Sequence, residues 1–447
     1  MRRITVPLKI TALFFIVLLF FALRVHTFYL SHINNDELIY LGLALKIDQS
    51  GFKVFDGHYN IYNLDLKIGK NFVGIKPSGE RLGTLAQLLR VDEGVETQQL
   101  SHHPPLLSLL LAASHRIFMP NHAYISSFRR INANAVFLQW YCGSIPFFAS
   151  LLTVFLVYLL GKAFFCQRVG LFAAFLLVVT PTDMLTAQKI WADNLVTLCI
   201  LLSVYAYWLS LKKNSAVLAV LSGVCAWLAI VTKQSGILTV PLVLVLHHFF
   251  YFKAGFSLFA RLAERKLLLF LFVCALLTAG WATIYVRQNG LAALWLQYTS
   301  QFAAKVMYPT DFIRFVNTRP WFTHLLTIPF QQPLFIFTYA TFLYVIKDKA
   351  FRRQLCFLCF WFLVFLISAT LMQGKEERYL LPAYPAITLL ASYSVIRIWD
   401  SFGARTGRLP VLLRCALIIL LCIASFQAIT IGLSAVFSRV SLIPIPA

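Results

Sequence analysis

The sequence predicts an all-α integral membrane protein, one polytopic domain over residues 1–447 with about eleven transmembrane helices. Three observations predict it. Hydrophobic residues make up 60% of the chain and charged residues 13%, which leaves too little polar surface to clothe a soluble core. The apolar residues fall in blocks of about 20, the length an α-helix needs to cross the hydrocarbon layer. Short charged segments separate the blocks, and their Lys and Arg alternate from side to side.

The first span runs from about Lys9 to Tyr29 behind a basic Met1-Arg2-Arg3 start. No small-x-small cleavage site follows, and the chain passes directly into polar Asn34-Asn35-Asp36-Glu37, so the segment reads as an uncleaved anchor. Later spans are expected near residues 142–162, 169–182, 194–211, 215–232, 236–252, 267–287, 326–346, 354–372, 379–398 and 410–435. With Arg2, Arg3 and Lys9 in the cytoplasm, every second connection is cytoplasmic too. These carry Lys162/Arg168, Lys212/Lys213, Lys253/Arg261/Arg265/Lys266, Lys347/Lys349/Arg352/Arg353 and Arg397/Arg405/Arg408. Charge thus tests an arrangement that was drawn from apolarity alone. Only Glu264, Asp348 and Asp400 among the acids then fall inside, so chemistry is expected on the outer face.

The net charge of +22 resides in these clusters and not on an aromatic-studded polar surface, which argues against nucleic acid as a partner. All nine cysteines lie in or beside apolar blocks, where a thiol acts as a small hydrophobe. Cys356 and Cys359 have the spacing of a redox or zinc motif, but they sit inside a membrane helix without a second pair and read as packing.

Two outer segments are long. In the first extracytoplasmic loop, residues 31–141, Leu38–Ile47 and Leu106–Phe118 read as interfacial helices with apolar faces against lipid. The second, residues 288–325, mixes Trp295, Tyr298, Phe302, Tyr308 and Trp321 with Lys305, Asp311 and Arg314, as expected at headgroup depth.

The outer polar residues come from distant parts of the chain but are expected at one membrane face, where ionisable groups usually mark function. Asp36 and Glu37 open an interfacial helix whose dipole keeps a carboxylate ionised, fit to act as a general base; the plain alternative is a helix cap. Asp193 stands four residues after Lys189, the spacing of a surface ion pair, and is otherwise placed to orient an acceptor or hold a cation. Asp183, just after Pro181, reads as a turn residue. The prolines of His103-Pro104-Pro105 suit a helix start. His102 and His103 are candidates for phosphate or for a divalent metal, the one cofactor the sequence leaves open; two histidines without a third ligand are a weak metal signal. Lys233, Lys375, Arg378 and Tyr379 are either snorkelling end residues or ligands of something anionic in the headgroup layer. Their outer position runs against the positive-inside rule and favours a lipid phosphate.

Together Asp36-Glu37-x-x-Tyr40, His103-Pro104-Pro105-Leu106, Ala192-Asp193-Asn194-Leu195, Leu228-Ala229-Ile230-Val231-Thr232-Lys233 and Arg378-Tyr379-Leu380-Leu381-Pro382-x-x-Pro385 resemble the protein O-mannosyltransferase and lipid A aminoarabinose transferase superfamily. The resemblance implies the GT-C fold and an inverting transfer from a polyprenyl phosphate sugar. It implies Asp36 as catalytic base and Asp193 as second carboxylate, beside Glu37. It makes His103, Lys233 and Arg378 candidates for the carrier phosphate. The chain departs from the aminoarabinose transferases, which have an acidic residue and Lys where His102 and His103 stand, Arg where Ile39 stands, and a large soluble domain after the last span. Aminoarabinose is therefore not the expected sugar.

The expected protein is a bacterial-type inner-membrane glycosyltransferase with its N-terminus in the cytoplasm. Its partners would be a polyprenyl phosphate sugar, membrane lipids, and an envelope glycan, lipid or protein acceptor. No glycine-rich loop or Asp-x-Asp site on the inner side speaks for a nucleotide sugar. The rivals are a transporter or flippase and a polymerase or ligase of lipid-linked sugars. A transporter would place ionisable groups near the midplane and repeat its halves, and neither pattern is present in the sequence.

Overall fold

A computed structural model describes residues 6–24, parts of 37–47, 104–118, 135–251, 263–289, 291, 294, 320–372, 376–403 and parts of 412–430. All regular structure among the described residues is helical. The helices are α1 (Val6–Arg24), α2 (Leu106–Phe118), α3 (Ala135–Phe164), α4 (Gln167–Val178), α5 (Pro181–Thr186), α6 (Asp193–Lys213) and α7 (Ala216–Ile230). They continue as α8 (Thr239–Phe250), α9 (Arg265–Asn289), α10 (Thr323–Gln331), α11 (Ile336–Lys347), α12 (Arg352–Leu371) and α13 (Tyr384–Gly403). Short 3-10 turns at Gln234–Leu238, Pro333–Phe335 and Glu377–Ala383 lead into α8, α11 and α13. Five described helices, Tyr141–Phe164, Asp193–Lys213, Arg265–Arg287, Arg352–Leu371 and Glu377–Phe402, are long and apolar enough to cross a membrane. Shorter apolar helices occupy Ile10–Arg24, Gln167–Val178, Ala216–Ile230, Gln234–Phe250, Pro333–Lys347 and Arg414–Gln427.

Two expected spans are interrupted. The one expected over 169–182 ends at Val178 and restarts as α5, with Thr180 as cap and Pro181 in the first turn. The one expected over 326–346 breaks at Gln332, which is extended at φ −157° and ψ 122°. Pro333 explains this break, because proline disfavours helical backbone in the residue before it and itself donates no hydrogen bond.

Helix α6 runs through the middle and packs on α3, α7, α8 and the 377–383 turn, while α13 packs on α4, α11 and α12. In the most apolar stretch of Glu377–Phe402 94% of the residues are buried, whereas in that of α9 17% are, and Phe272 and Leu276 lie on its open side. A helix apolar all round sits in a core or in lipid, and these two show the extremes. Where α3 crosses α4, a Cβ on Gly161 would lie 2.7 Å from the Gly170 Cα, so only glycine permits the approach.

One end of the bundle collects the three acids expected inside, each beside a cation. Arg168 bonds Asp400 at 2.8 Å, Arg397 bonds Asp348 at 2.5 Å, and Lys266 bonds Glu264 at 2.9 Å. Burial pushes the Asp348 carboxyl up, but hydrogen bonds from Tyr393 and the Ala350 and Phe351 amides and the charge of Arg397 outweigh it. The carboxyl is held below its ordinary 3.8. All nine cysteines are free thiols.

Candidate active site

At the opposite end α6 begins with Asp193, which is 2% exposed. Its Oδ1 accepts a hydrogen bond from Lys233 Nζ at 2.5 Å. Lys233 stands just beyond α7, and the chain there is folded tightly. The amides of Thr232 and Lys233 both donate to the Ala229 carbonyl, at 3.1 and 3.2 Å, and the Thr232 hydroxyl donates to the Leu228 carbonyl at 2.6 Å. Gly236 then lies so close to α7 that a Cβ on it would sit 2.0 Å from the Ala229 oxygen. The reversal that delivers the Lys233 ammonium to Asp193 therefore depends on Gly236.

The same ammonium lies 4.9 Å from the centre of the Tyr379 ring. Tyr379 belongs to the 3-10 turn Glu377–Ala383, which packs on α6. Its neighbour Arg378 places its guanidinium 4.3 Å from the Trp191 ring centre and 5.6 Å from that of Tyr379, with Nε 2.5 Å from Glu376 Oε2. Two cations stacked on two rings form one cluster with Asp193.

Trp191 is on the connection between α5 and α6, and Glu37, in the segment that follows α1, fastens that connection. Glu37 Oε1 accepts the Ile190 amide at 2.9 Å, and Oε2 lies 3.4 Å from Lys189 Nζ. The expected surface pair of Lys189 with Asp193 is thus replaced by two buried pairs, Lys189 with Glu37 and Lys233 with Asp193. The i, i+4 spacing fails because α6 starts only at Asp193, leaving Lys189 outside the helix.

Helix α2 brings the proline motif to the same place. The Pro105 carbonyl accepts the Leu109 amide at 2.9 Å, and the Leu106 amide, orphaned at the helix start, donates to Val231 O at 2.9 Å, two residues before Lys233. Ser108 donates to the Tyr40 carbonyl at 3.0 Å and Arg116 to the Ile47 carbonyl at 3.3 Å, which ties α2 to the 37–47 segment. Tyr40, Leu41, Leu43, Ala44, Ile47, Leu107, Leu111 and Ala112 are all buried by protein. The apolar faces expected against lipid are therefore covered by protein at these positions.

Asp183, expected as a turn residue, lies instead in the first turn of α5. It is 2% exposed, its Oδ2 accepts from Arg24 at 2.5 Å and from Ser150 at 2.7 Å, and its Oδ1 accepts from Asn194 at 3.1 Å. Arg24 also donates to Val178 O at 3.1 Å, so the end of α1 is pinned to the end of α4 and to the residue beside Asp193. Arg24 and Trp191 were missed in the sequence. A cation near the outer end of a span was a signal for the first, and nothing marked the second.

Five of the named residues, Glu37, Asp193, Lys233, Arg378 and Tyr379, meet at this end. Asp36, His102, His103 and Lys375 lie outside the described residues, next in sequence to Glu37, Pro104 and Glu376. Among the described residues no three of His, Cys, Asp and Glu come together as metal ligands. An ammonium has three donors, of which Asp193 takes one, so Lys233 can hold an anion while still paired.

The chain is similar in structure to ArnT from Cupriavidus metallidurans bound to undecaprenyl phosphate, with TM-score 0.58, 12% identity, and coverage of 98% of this chain and 76% of that one. It is also similar to the oligosaccharyltransferase AglB from Archaeoglobus fulgidus in complex with an inhibitory peptide and a dolichol-phosphate, with TM-score 0.54, 15% identity, and coverage of 95% and 55%. The Archaeoglobus fulgidus oligosaccharyltransferase tethered with an acceptor peptide gives TM-score 0.57 at 14% identity, with coverage of 96% and 55%. The chain has the GT-C fold of these integral membrane proteins, over about three quarters of the length of ArnT and just over half that of AglB. No protein-family model and no curated protein matches the sequence.

Proposed function

We propose that the protein is an inverting glycosyltransferase that moves a sugar from a polyprenyl phosphate carrier to an envelope glycan, lipid or protein acceptor on the extracytoplasmic face. The observation that carries this reading is the cluster of buried Asp193 and Lys233 with half-buried Arg378, Tyr379 and Trp191, joined through residues 189–191 to Glu37. Opposite charges and aromatic faces gathered at one end of an apolar bundle suit a lipid phosphate with a sugar attached. The structural likeness to a protein bound to undecaprenyl phosphate and to one bound to a dolichol-phosphate supports the same donor class.

In this reading Lys233 and Arg378 stabilise charge on the departing phosphate, which needs no acid to leave. Asp193 keeps Lys233 in place through its 2.5 Å bond. Asp36, next to the buried Glu37, takes the proton of the acceptor hydroxyl as it attacks the sugar from the face opposite the phosphate. One carboxylate then suffices for inversion, whereas inverting glycosidases need an acid as well as a base. His103 and Lys375 are further phosphate ligands in this proposal.

The test is transfer by purified protein from undecaprenyl phosphate hexoses to envelope extracts. Asp36→Asn is expected to reduce turnover about a hundredfold or more while membrane insertion is kept. Full turnover in that variant would remove the base from the proposal.

A further inference from the structure

The segment that ends at Lys347 is broken near its start, and the break carries two adjacent glutamines, Gln331 closing α10 and Gln332 in extended conformation before Pro333. The twelve residues of α11 span about 18 Å, which sets this break far from the Asp348 end and toward the cluster around Lys233. His324, Ile328 and Gln332 recur at intervals of four and are at most 1% exposed, so this side of α10 faces the protein interior. The neighbours of α10 there include α12 and the Glu377–Ala383 turn.

Gln331 Nε2 donates to Glu377 Oε2. The remaining Gln331 Oε1, and both Oε1 and Nε2 of Gln332, are buried without a hydrogen-bond partner. Buried amides are almost always satisfied, and leaving these unsatisfied inside an apolar bundle is costly unless a ligand or water completes them. Packing alone would be better served by leucine or methionine at position 332. Glu377 is the residue before Arg378, so the glutamines adjoin the cluster proposed for the phosphate. Amides and a carboxylate offer an anion no cation, and Glu377 would repel it. They suit hydroxyl groups, each of which both donates and accepts.

We propose that Gln331, Gln332 and Glu377 form the subsite for the hydroxyls of the sugar carried by the donor lipid, and so set which sugar is used. This rests on the transferase reading above. The experiment measures binding of bare undecaprenyl phosphate and of its mannosyl, glucosyl and galactosyl derivatives to the full chain in nanodiscs. The wild type is expected to bind at least one sugar-bearing lipid more tightly than the bare lipid. Gln332→Met, close in volume, is expected to weaken that sugar-bearing lipid roughly tenfold and leave the bare lipid unchanged. The melting temperature of its ligand-free form should stay level or rise, because an orphaned amide has been removed.

The subsite is overturned if Gln332→Met keeps the wild-type preference, in which case only water completes the amides. It is overturned as well if the wild type prefers none of the three sugars, or if the variant lowers the ligand-free melting temperature. Failure of the wild type to bind even the bare lipid overturns the transferase reading itself, and the subsite with it.

Discussion

Lys233 is fixed by the buried Asp193 carboxylate on one side and the half-buried Tyr379 ring on another, and this decides what its mutation does. Removing one partner of a buried pair leaves a charge stranded, at a cost of about 3–5 kcal/mol, whereas replacing both is far milder. Lys233→Met and Asp193→Asn are each expected to lower the melting temperature in detergent. The double variant should recover most of that stability but none of the transfer activity. Recovery of both would make the pair a purely structural strut. At the other end Asp348, with its depressed carboxyl, stabilises the fold fully above the ordinary carboxylate range, and this is lost as pH falls through the lowered value. The melting-temperature difference between wild type and Asp348→Asn should be constant from about pH 5 to 8 and shrink below about pH 4. Lys233 and Arg378 were legible in the sequence because cations at helix ends expected outside contradict the positive-inside rule, Tyr379 as the neighbour of Arg378, and Asp193 as an acid at the start of an apolar span. Arg24 and Asp183 were not legible as a pair, since they stand 159 residues apart and periodicity reports burial, not partnership.

At the scale of elements, the helices follow from runs of apolar residues, and the departures all occur at breaks. A hydropathy average smooths over Pro181 and Pro333, so the stops at Val178 and Gln332 vanish into single spans although each proline signals its own break. The tight return after α7 was equally hidden, because no local pattern shows that Gly236 must touch Ala229. Its weight can be measured. Gly236→Ala puts a Cβ 2.0 Å from a backbone oxygen, so the turn must shift and carry Lys233 away from Asp193. We expect weaker binding of undecaprenyl phosphate by Gly236→Ala, comparable to that of Lys233→Met, with normal membrane insertion. Unchanged binding would show that the turn does not position the lysine.

For the molecule as a whole, charge and apolarity in the sequence together distinguish the two ends. Asp348, Asp400 and Glu264 gather with Arg397, Arg168 and Lys266, while Glu37, Asp193, Lys233 and Arg378 gather elsewhere. The orientation follows as a prediction from the positive-inside rule. In a functional cysteine-free background, Trp321→Cys should react with an impermeant maleimide in intact cells, and Lys213→Cys only after permeabilisation; both positions are exposed. The reverse pattern would place the carboxylate and cation cluster in the cytoplasm. The central claim is that this cluster receives the lipid phosphate, and a structure of the protein with undecaprenyl phosphate tests it most directly. The phosphate should lie within hydrogen-bond reach of Lys233 and Arg378. Phosphate bound instead beside Arg168 and Arg397, with Lys233 and Arg378 untouched, would contradict it.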